Sequence, residues 1–141
     1  MGPSPPASSE VTSKTMKANI ARDTGPELTM RRALRDIGLL GYRLNWKGAP
    51  GRPDIAYPNH RVAIFVHGCF WHRCPYCKPS LPKTHTDFWR RKFERNVTRD
   101  RRKIAALKKR GWKVFVFWEC QIKKDSIRLA SKARGYVKDK S

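Results

Sequence analysis

Apolar positions along the chain follow two patterns, one with the period of a helix and one with the period of a strand. The longest helical pattern spans residues 86–110, where apolar side chains recur mostly every three or four residues, basic residues occupy the other faces and Thr86 can cap the start. A shorter pattern predicts a helix over residues 25–38, which Thr24 can cap and whose first turn suits Pro26. A third helix, rich in basic residues, is predicted over residues 124–137.

Four short apolar runs predict strands, at residues 42–46, 54–57, 62–66 and 112–118. The third run is wholly apolar, which is typical of a strand at the centre of a sheet. The first three runs follow one another closely, so we expect them to form a meander. The order of elements, α-β-β-β-α-β, predicts an α/β sandwich with a mixed sheet.

The charge balance is the most extreme feature of the composition. The chain has 32 Lys and Arg residues against 11 Asp and Glu residues, so its formal net charge is +21. Charges of one sign repel one another in the folded state, and an excess of this size indicates an anionic partner, with nucleic acid as the first candidate. A basic surface that is merely solvated is the alternative.

The N-terminal segment differs in composition from the rest. Residues 1–12 are rich in Pro and Ser and are predicted to be a disordered arm, which leaves residues 13–141 as a single domain. No stretch approaches the ~20 apolar residues of a membrane-spanning helix, and the N-terminus lacks a basic-then-apolar signal pattern. We therefore expect a cytoplasmic protein with no membrane partner and with reduced cysteines.

Cysteine spacing predicts a structural zinc site. The candidate ligands are Cys69, Cys74, Cys77 and Cys120. A CxxC pair brings two thiolates within reach of one tetrahedral ion, and the other two cysteines can complete a closed site with no open coordination position. Two disulfides and buried free thiols are the alternatives, and His72 and His85 are alternative zinc ligands.

One carboxylate and two histidines beside the predicted strands suggest phosphodiester hydrolysis. Asp54 begins a strand after a Gly-Arg-Pro turn, His67 ends the neighbouring strand, and His72 follows five residues later. A carboxylate is a hard ligand suited to Mg²⁺, which polarises a phosphate and can activate water. One histidine can accept the proton of that water, and the other can stabilise charge on the phosphate. A turn-capping Asp and surface histidines are the alternatives.

Phe70 and Trp71 are the other unusual feature, because two large aromatic residues in a loop are badly placed for a core. They can form a wedge that enters a base stack, with Met16 of the basic N-terminal segment as a partner wedge. Alternatively, they cover the zinc site.

Six motifs occur in order between residues 50 and 120, within a resemblance to a known family that runs from about residue 14 to residue 120. They are PGRPD at 50–54, IFVHGCFWH at 64–72, FW at 88–89, NVTRDRRKI at 96–104, GWKV at 111–114 and WEC at 118–120. In this order they resemble the very short patch repair (Vsr-type) DNA mismatch endonucleases. The resemblance implies a restriction-endonuclease-like α/β/α sandwich and Mg²⁺-dependent nicking of one strand 5′ to the thymine of a T:G mismatch, which arises when 5-methylcytosine deaminates.

The resemblance also implies roles for individual residues. Asp54 matches the metal-binding aspartate, His72 the general base, and His67 the histidine that assists at the phosphate. Glu27 matches a first-helix glutamate near the active site, and the backbone carbonyl of Val66 matches a second Mg²⁺ ligand. The residues expected to contact or intercalate into DNA are Met16, Phe70, Trp71, Lys92 and Asn96.

The chain departs from the family pattern at two positions. The family commonly has Thr at the position of Val66, and a His in the zinc loop where this chain has Cys74 in a loop one residue longer. The resemblance implies mismatched double-stranded DNA as the partner of a monomeric, nucleoid-associated bacterial protein, with other mismatch-repair proteins left open as partners. A sequence-specific restriction-type endonuclease and a non-catalytic, zinc-stabilised nucleic-acid-binding module are the alternatives.

Overall fold

The computed structural model of the protein describes residues 24–137, so the predicted arm and Met16 lie outside the described residues. Within this range, apart from two short helical turns, the elements follow the predicted α-β-β-β-α-β order, and the predicted C-terminal helix comes after the last strand. The elements are α1 (Gly25–Asp36), β1 (Arg43–Leu44), β2 (Ile55–Tyr57), a 3₁₀ turn (Pro58–His60), β3 (Val62–His67), α2 (Cys69–His72), α3 (Thr86–Lys109), β4 (Lys113–Trp118) and α4 (Glu119–Val137).

The four strands form one mixed sheet in the order β1-β2-β3-β4. The pairs β1–β2 and β2–β3 are antiparallel, which confirms the predicted meander, whereas β3 and β4 are parallel. The central strand β3 is buried along nearly its whole length, as its wholly apolar run predicts. The α/β class with a central mixed sheet is therefore confirmed.

Helices cover both faces of the sheet, because successive side chains of β3 point to opposite sides. Val62 and Ile64 pack with α1 and α4, where Leu34 and Ala130 are fully buried. Ala63 and Phe65 face the other way and pack with Leu107 of α3. The result is an α/β/α sandwich in which α3 alone, among the long described helices, covers the second face.

Three local details differ from the sequence prediction. Thr86 does not cap α3, because its hydroxyl donates to carbonyl oxygens of the preceding turn and His85 occupies the N-cap position with a φ of 56°. Helix α4 begins earlier than predicted, at Glu119, and is interrupted at Asp125, whose carboxylate accepts a backbone N–H three residues on. Residues 69–72, predicted as loop, form the single turn of α2.

The sheet topology brings the candidate site residues to one edge. Because β3 and β4 are parallel, their carboxyl ends meet at the same edge, and the antiparallel β2 begins there. Asp54 directly precedes β2, His67 ends β3, and Glu119 directly follows β4. Among residues 24–137, no helix combines the length and the apolar character needed to cross a membrane.

Candidate active site and metal centre

Asp54 is a partly buried carboxylate with little positive charge to compensate it. Its Oδ2 accepts a hydrogen bond from the backbone N–H of Val66, at 2.7 Å. Burial raises the pKa of Asp54 from its ordinary value to about 6, and the charge of Glu27 adds to this, while the Val66 hydrogen bond and the charges of His72 and Lys103 oppose it. A buried carboxylate whose negative charge is poorly compensated suits a bound cation, which would supply the compensating positive charge.

Glu27 is the second carboxylate near Asp54. It lies in the first turn of α1, where its N–H donates to the hydroxyl of Thr24, and its side chain is buried and paired with Arg31 one turn further on. Its charge adds to the upward shift of the Asp54 pKa, of which burial is the main cause. The structure thus places the predicted first-helix glutamate within electrostatic reach of the candidate metal ligand.

His72 forms a hydrogen-bonded pair with Asp100, a residue of α3. The Nδ1 atom of His72 lies 2.6 Å from Oδ2 of Asp100. Burial raises the pKa of Asp100, but the hydrogen bond and charge of His72, with His67 and Lys103, outweigh it, so the net shift is downward. When an ionised Asp100 accepts the Nδ1–H of His72, Nε2 is the ring nitrogen left to accept a proton.

His67 stacks on His72 as a neutral ring. The two imidazole centroids are 4.0 Å apart with an interplanar angle of 6°. Burial, with a contribution from the neighbouring His72, lowers the pKa of His67 to about 3, so the ring carries no charge at physiological pH. Its Nδ1 atom is buried with no hydrogen-bond partner in the described part of the chain. His67 can therefore offer a neutral hydrogen-bond donor, but not a cation, to a bound phosphate.

The ligand atoms of His67, His72 and Asp100 all lie within 4.8 Å of one another, a spacing that also suggests a metal site. The ring geometry argues against it. Imidazole lone pairs lie in the ring plane, and these two planes are nearly parallel. Two such rings cannot both direct a lone pair at one ion about 2.1 Å away. We therefore interpret the three residues as a proton-transfer group.

Phe70 and Trp71 pack against the first turns of α3. Phe70 contacts Phe93 edge to face with a centroid distance of 5.1 Å, and Trp71 lies 5.6 Å from Trp89. The side-chain amide of Asn96 donates to the carbonyl oxygen of Trp71, at 3.2 Å. These contacts with α3 hold the aromatic pair in a fixed position beside His72.

A cavity of about 320 Å³ lies between the aromatic pair, Phe70 and Trp71, and the candidate base His72. Its wall includes both the aromatic side chains and His72, and Thr24, at the junction with the N-terminal segment, also lines it. The lining residues are Thr24, Gly25, Pro26, Gly68, Phe70, Trp71, His72 and Glu119. Lys92, the remaining predicted DNA contact among the described residues, is a partly exposed side chain one turn before Asn96 on α3.

The four cysteines come together in the folded chain. The sulfur atoms of Cys69, Cys74, Cys77 and Cys120 all lie within 4.8 Å of one another, and all four are free thiols. The Sγ atoms of Cys74 and Cys120 are 3.7 Å apart, close to the ~3.8 Å edge of a tetrahedron with Zn–S bonds of ~2.3 Å. The group can hold one metal ion, and His72 lies instead with His67 and Asp100.

The thiol group is joined to the candidate active site by backbone contacts. The N–H of Cys69 donates to Oε1 of Glu119, at 3.2 Å, and the N–H of Cys120 donates to Sγ of Cys69, at 3.3 Å. Cys69 also begins the helical turn that carries Phe70, Trp71 and His72. A metal ion held by the thiols would therefore fix the position of that turn relative to β4.

Comparisons with known proteins agree with this arrangement. The model of the family described as DNA mismatch endonuclease Vsr matches residues 7–78. The chain is 45% identical to the type II nicking enzyme V.XorIIP of Xanthomonas oryzae pv. oryzae over 102 residues. This aligned segment covers 72% of this chain and 74% of the relative. It is 41% identical to the DNA mismatch endonuclease Vsr of Escherichia coli over 111 residues, a segment that covers 79% of this chain and 70% of the relative. The type II nicking enzyme V.NmeAIP of Neisseria meningitidis is 39% identical over 107 residues, 76% of each chain.

These matches place the chain among the endonucleases that act on DNA. The chain belongs to the Vsr family of DNA mismatch endonucleases, and its sandwich is the restriction-endonuclease-like fold of that family. The family resemblance seen in the sequence motifs is confirmed.

The raised pKa of Asp54 predicts that the folded protein loses stability as the pH rises. The folded state holds a proton at Asp54 more tightly than the unfolded state, because the pKa is raised from 3.8 to about 6. The free energy of unfolding therefore falls as the pH rises through this window, and the full cost is present at pH 7 and above. Asp54→Asn removes the charge and keeps an acceptor for Val66, so at about pH 7.5 the metal-free variant should be more stable by about 1–3 kcal/mol.

Urea unfolding in the presence of a chelator measures this difference, and the two proteins should converge below about pH 4. The control is Asp87→Asn in the first turn of α3, where the side chain is exposed and the change should give no gain. An Asp54→Asn protein no more stable than the wild type at about pH 7.5 would contradict the assignment.

Proposed function

We propose that the protein is a Mg²⁺-dependent endonuclease that nicks one DNA strand 5′ of the thymine at a T:G mismatch. In this proposal the nick starts very short patch repair of deaminated 5-methylcytosine. The observation that carries it is the convergence, at one sheet edge, of an undercompensated carboxylate, a histidine–carboxylate pair and a supported aromatic pair. A basic chain of net charge +21 provides the attraction to DNA.

The chain's own residues divide the chemistry between them. His72, held by Asp100 through Nδ1, accepts a proton at Nε2 from the attacking water. His67 donates a neutral hydrogen bond to the phosphate, a role that fits its low pKa. The stacking of the two rings keeps the base and the donor in a fixed relation.

Asp54 and the backbone carbonyl of Val66 would hold the Mg²⁺ ion, with Glu27 as the nearby second carboxylate. The raised pKa of Asp54 supports this choice, because a bound cation would relieve the cost of burying its charge. Bound Mg²⁺ would stabilise negative charge on the phosphate and lower the pKa of a coordinated water. The hydrogen bond from Val66 N–H orients the Asp54 carboxylate towards the end of β3.

Phe70 and Trp71 are proposed to read the mismatch by entering the base stack beside it. Both line the cavity that also contains His72, so a base stack opened by the aromatic pair lies next to the general base. Lys92 and Asn96 are proposed to contact the groove from α3, although the Asn96 amide already holds the Trp71 carbonyl. Met16 is proposed to enter from the opposite groove, and it lies outside the described residues.

A second candidate is a sequence-specific endonuclease that cuts fully paired DNA. Several relatives are named type II nicking enzymes, which associates this family with nicking. The aromatic pair favours the mismatch reading, because a paired site offers no easily opened base step to an aromatic wedge. A binding module without activity is the third reading, and it has no need of the Asp54 carboxylate or the His72–Asp100 pair.

The nicking assay is the central test of the proposal. With Mg²⁺, purified protein should nick the thymine strand of a T:G duplex, and a chelator should abolish the reaction. Asp54→Ala should bind the duplex without nicking it. Asp100→Asn should nick about 10²-fold or more slowly, because His72 loses the partner that fixes its tautomer. Asp125→Asn, which alters an exposed carboxylate on α4, is the matched control.

Three results would contradict the proposal in different ways. Binding without nicking in any mismatched duplex would favour the binding module. Equal cleavage of paired and mismatched duplexes would favour the sequence-specific enzyme. Full activity of Asp54→Ala would remove the proposed metal ligand.

The aromatic pair gives a separate prediction about specificity. The Phe70→Ala, Trp71→Ala double variant should lose about 10–100-fold in affinity for the T:G duplex, the value expected when stacking on a base is lost, and much less for the paired duplex. Fluorescence anisotropy with both duplexes measures the two affinities. Phe88→Ala is the control, because Phe88 is exposed at the edge of the same aromatic cluster. Equal losses on both duplexes would make the pair a structural element only.

We further propose that the metal held by the thiols is structural zinc. Purified, reduced protein should contain about one zinc ion per chain. Cys77→Ser should lose the zinc and lower the thermal midpoint, whereas His85→Ala should keep the zinc, because only thiols form the group. Metal analysis and thermal unfolding measure both effects. Folded, reduced, zinc-free protein, or loss of zinc from His85→Ala, would contradict the four-cysteine site.

A further inference from the structure

Apart from a bound metal ion, the side chains of the proposed cleavage site give an unfavourable charge balance for the substrate. Asp54 and Asp100 are carboxylates, and the phosphodiester that must enter between them is an anion. His67 gives no compensation, because its burial keeps it neutral. Arg73 is committed elsewhere: it donates to the carbonyl oxygens of Phe70 and Pro79 and stacks over a ring of α3. A fixed cation from another residue would correct this balance.

Lys103 occupies the position from which such a cation can act. It lies on α3 three residues after Asp100, so both side chains are on the same helix face. A Cβ added at Gly51 would lie 2.7 Å from the Cβ of Lys103 and 2.9 Å from its Cγ. Only glycine, here with a φ of +81°, lets the turn before Asp54 pack this closely on the lysine stem. The stem is therefore held between the element that carries Asp54 and the element that carries Asp100.

The charge of Lys103 reaches three members of the site. It adds a downward contribution, smaller than that of burial, to the pKa values of Asp54, His67 and Asp100. The side chain is only partly exposed, so solvent screens this charge less than that of a fully exposed lysine. In the part of the chain that the structure describes, Lys103 has no hydrogen bond or ion pair. Its ammonium group is available to an incoming anion.

We infer that Lys103 is the phosphate-directed cation of the cleavage site, and that its ammonium group meets the scissile phosphate between Asp54 and Asp100. This inference rests on the proposed nicking function and adds to the proposed site a cationic residue from α3. It accounts for the close approach of Gly51, because that contact keeps the lysine stem beside the Asp54 turn. A cation placed at the scissile phosphate stabilises the negative charge that develops there in the transition state.

The first test compares rate with affinity. Lys103→Gln keeps most of the stem and removes the charge, Lys103→Arg keeps the charge, and Arg102→Gln removes a neighbouring charge that is exposed. With saturating protein and Mg²⁺, Lys103→Gln should nick a T:G duplex about tenfold more slowly, and Lys103→Arg should stay within about twofold of the wild type. Arg102→Gln should weaken binding and leave the single-turnover rate unchanged.

The second test asks whether Lys103 faces the scissile phosphate itself. Binding is measured without metal on two duplexes, one normal and one with a neutral methylphosphonate at the nick position. In the wild type the neutral group should weaken binding, because it removes the attraction to Lys103. In Lys103→Gln it should strengthen binding, because the repulsion by Asp54 and Asp100 then dominates. The coupling between the two changes should be about fivefold or more.

Failure of the inference and failure of the proposed function give different results. If the wild type nicks and Lys103→Gln nicks equally fast, with the same response to methylphosphonate, the assignment of Lys103 is wrong and the function stands. If the wild type nicks no duplex, the function is wrong. Thermal unfolding checks each variant, and if Lys103→Gln is unfolded, Lys103→Met, which also keeps the stem, replaces it in both assays.

Discussion

The parallel pairing of β3 with β4 holds the site together, because the groups at the sheet edge lie within a few residues of its end. The register matches His67 with Trp118, so Cys69 and Cys120 each lie two residues beyond a matched pair. The thiol group, the Glu119 contact to Cys69 and the start of α2 follow from this ladder. A slip of one residue would turn His67 to the other face and separate the sulfur atoms.

The elements that burial alone dictates could be predicted from the sequence. The run 62–66 is wholly apolar and became the central strand, and the helical stripe of residues 86–110 became α3. The close succession of the first strands was enough to bring Asp54 beside the end of β3. Cys120 was predictable as a ligand because a CxxC pair and one nearby cysteine leave it as the remaining thiol. Local hydrophobic periodicity was enough to predict these elements, and the small number of cysteines was enough to predict the fourth ligand.

The parts that were missed depend on how α3 is rotated against the sheet. Asp100 was not predicted as a partner of His72, because the two are 28 residues apart and only tertiary packing joins them. A signal was present: Trp89, Phe93 and Asn96 form an inward face three or four residues apart, and Asp100 continues it with a carboxylate. A charge on a buried face needs a partner. The neutrality of His67 was equally hidden, because burial is a property of the whole fold.

The chain order of these parts has a consequence during protein synthesis. The ribosome makes Asp54, His67 and His72 well before β4 and Cys120, so a growing chain holds these candidate site residues before the strand that aligns them. Until residues 113–120 emerge, β3 lacks its parallel neighbour and the thiol group lacks one sulfur atom. A partly made chain therefore cannot complete the sheet edge. The last strand of the sheet thus sets the moment at which the candidate site and the thiol group can assemble.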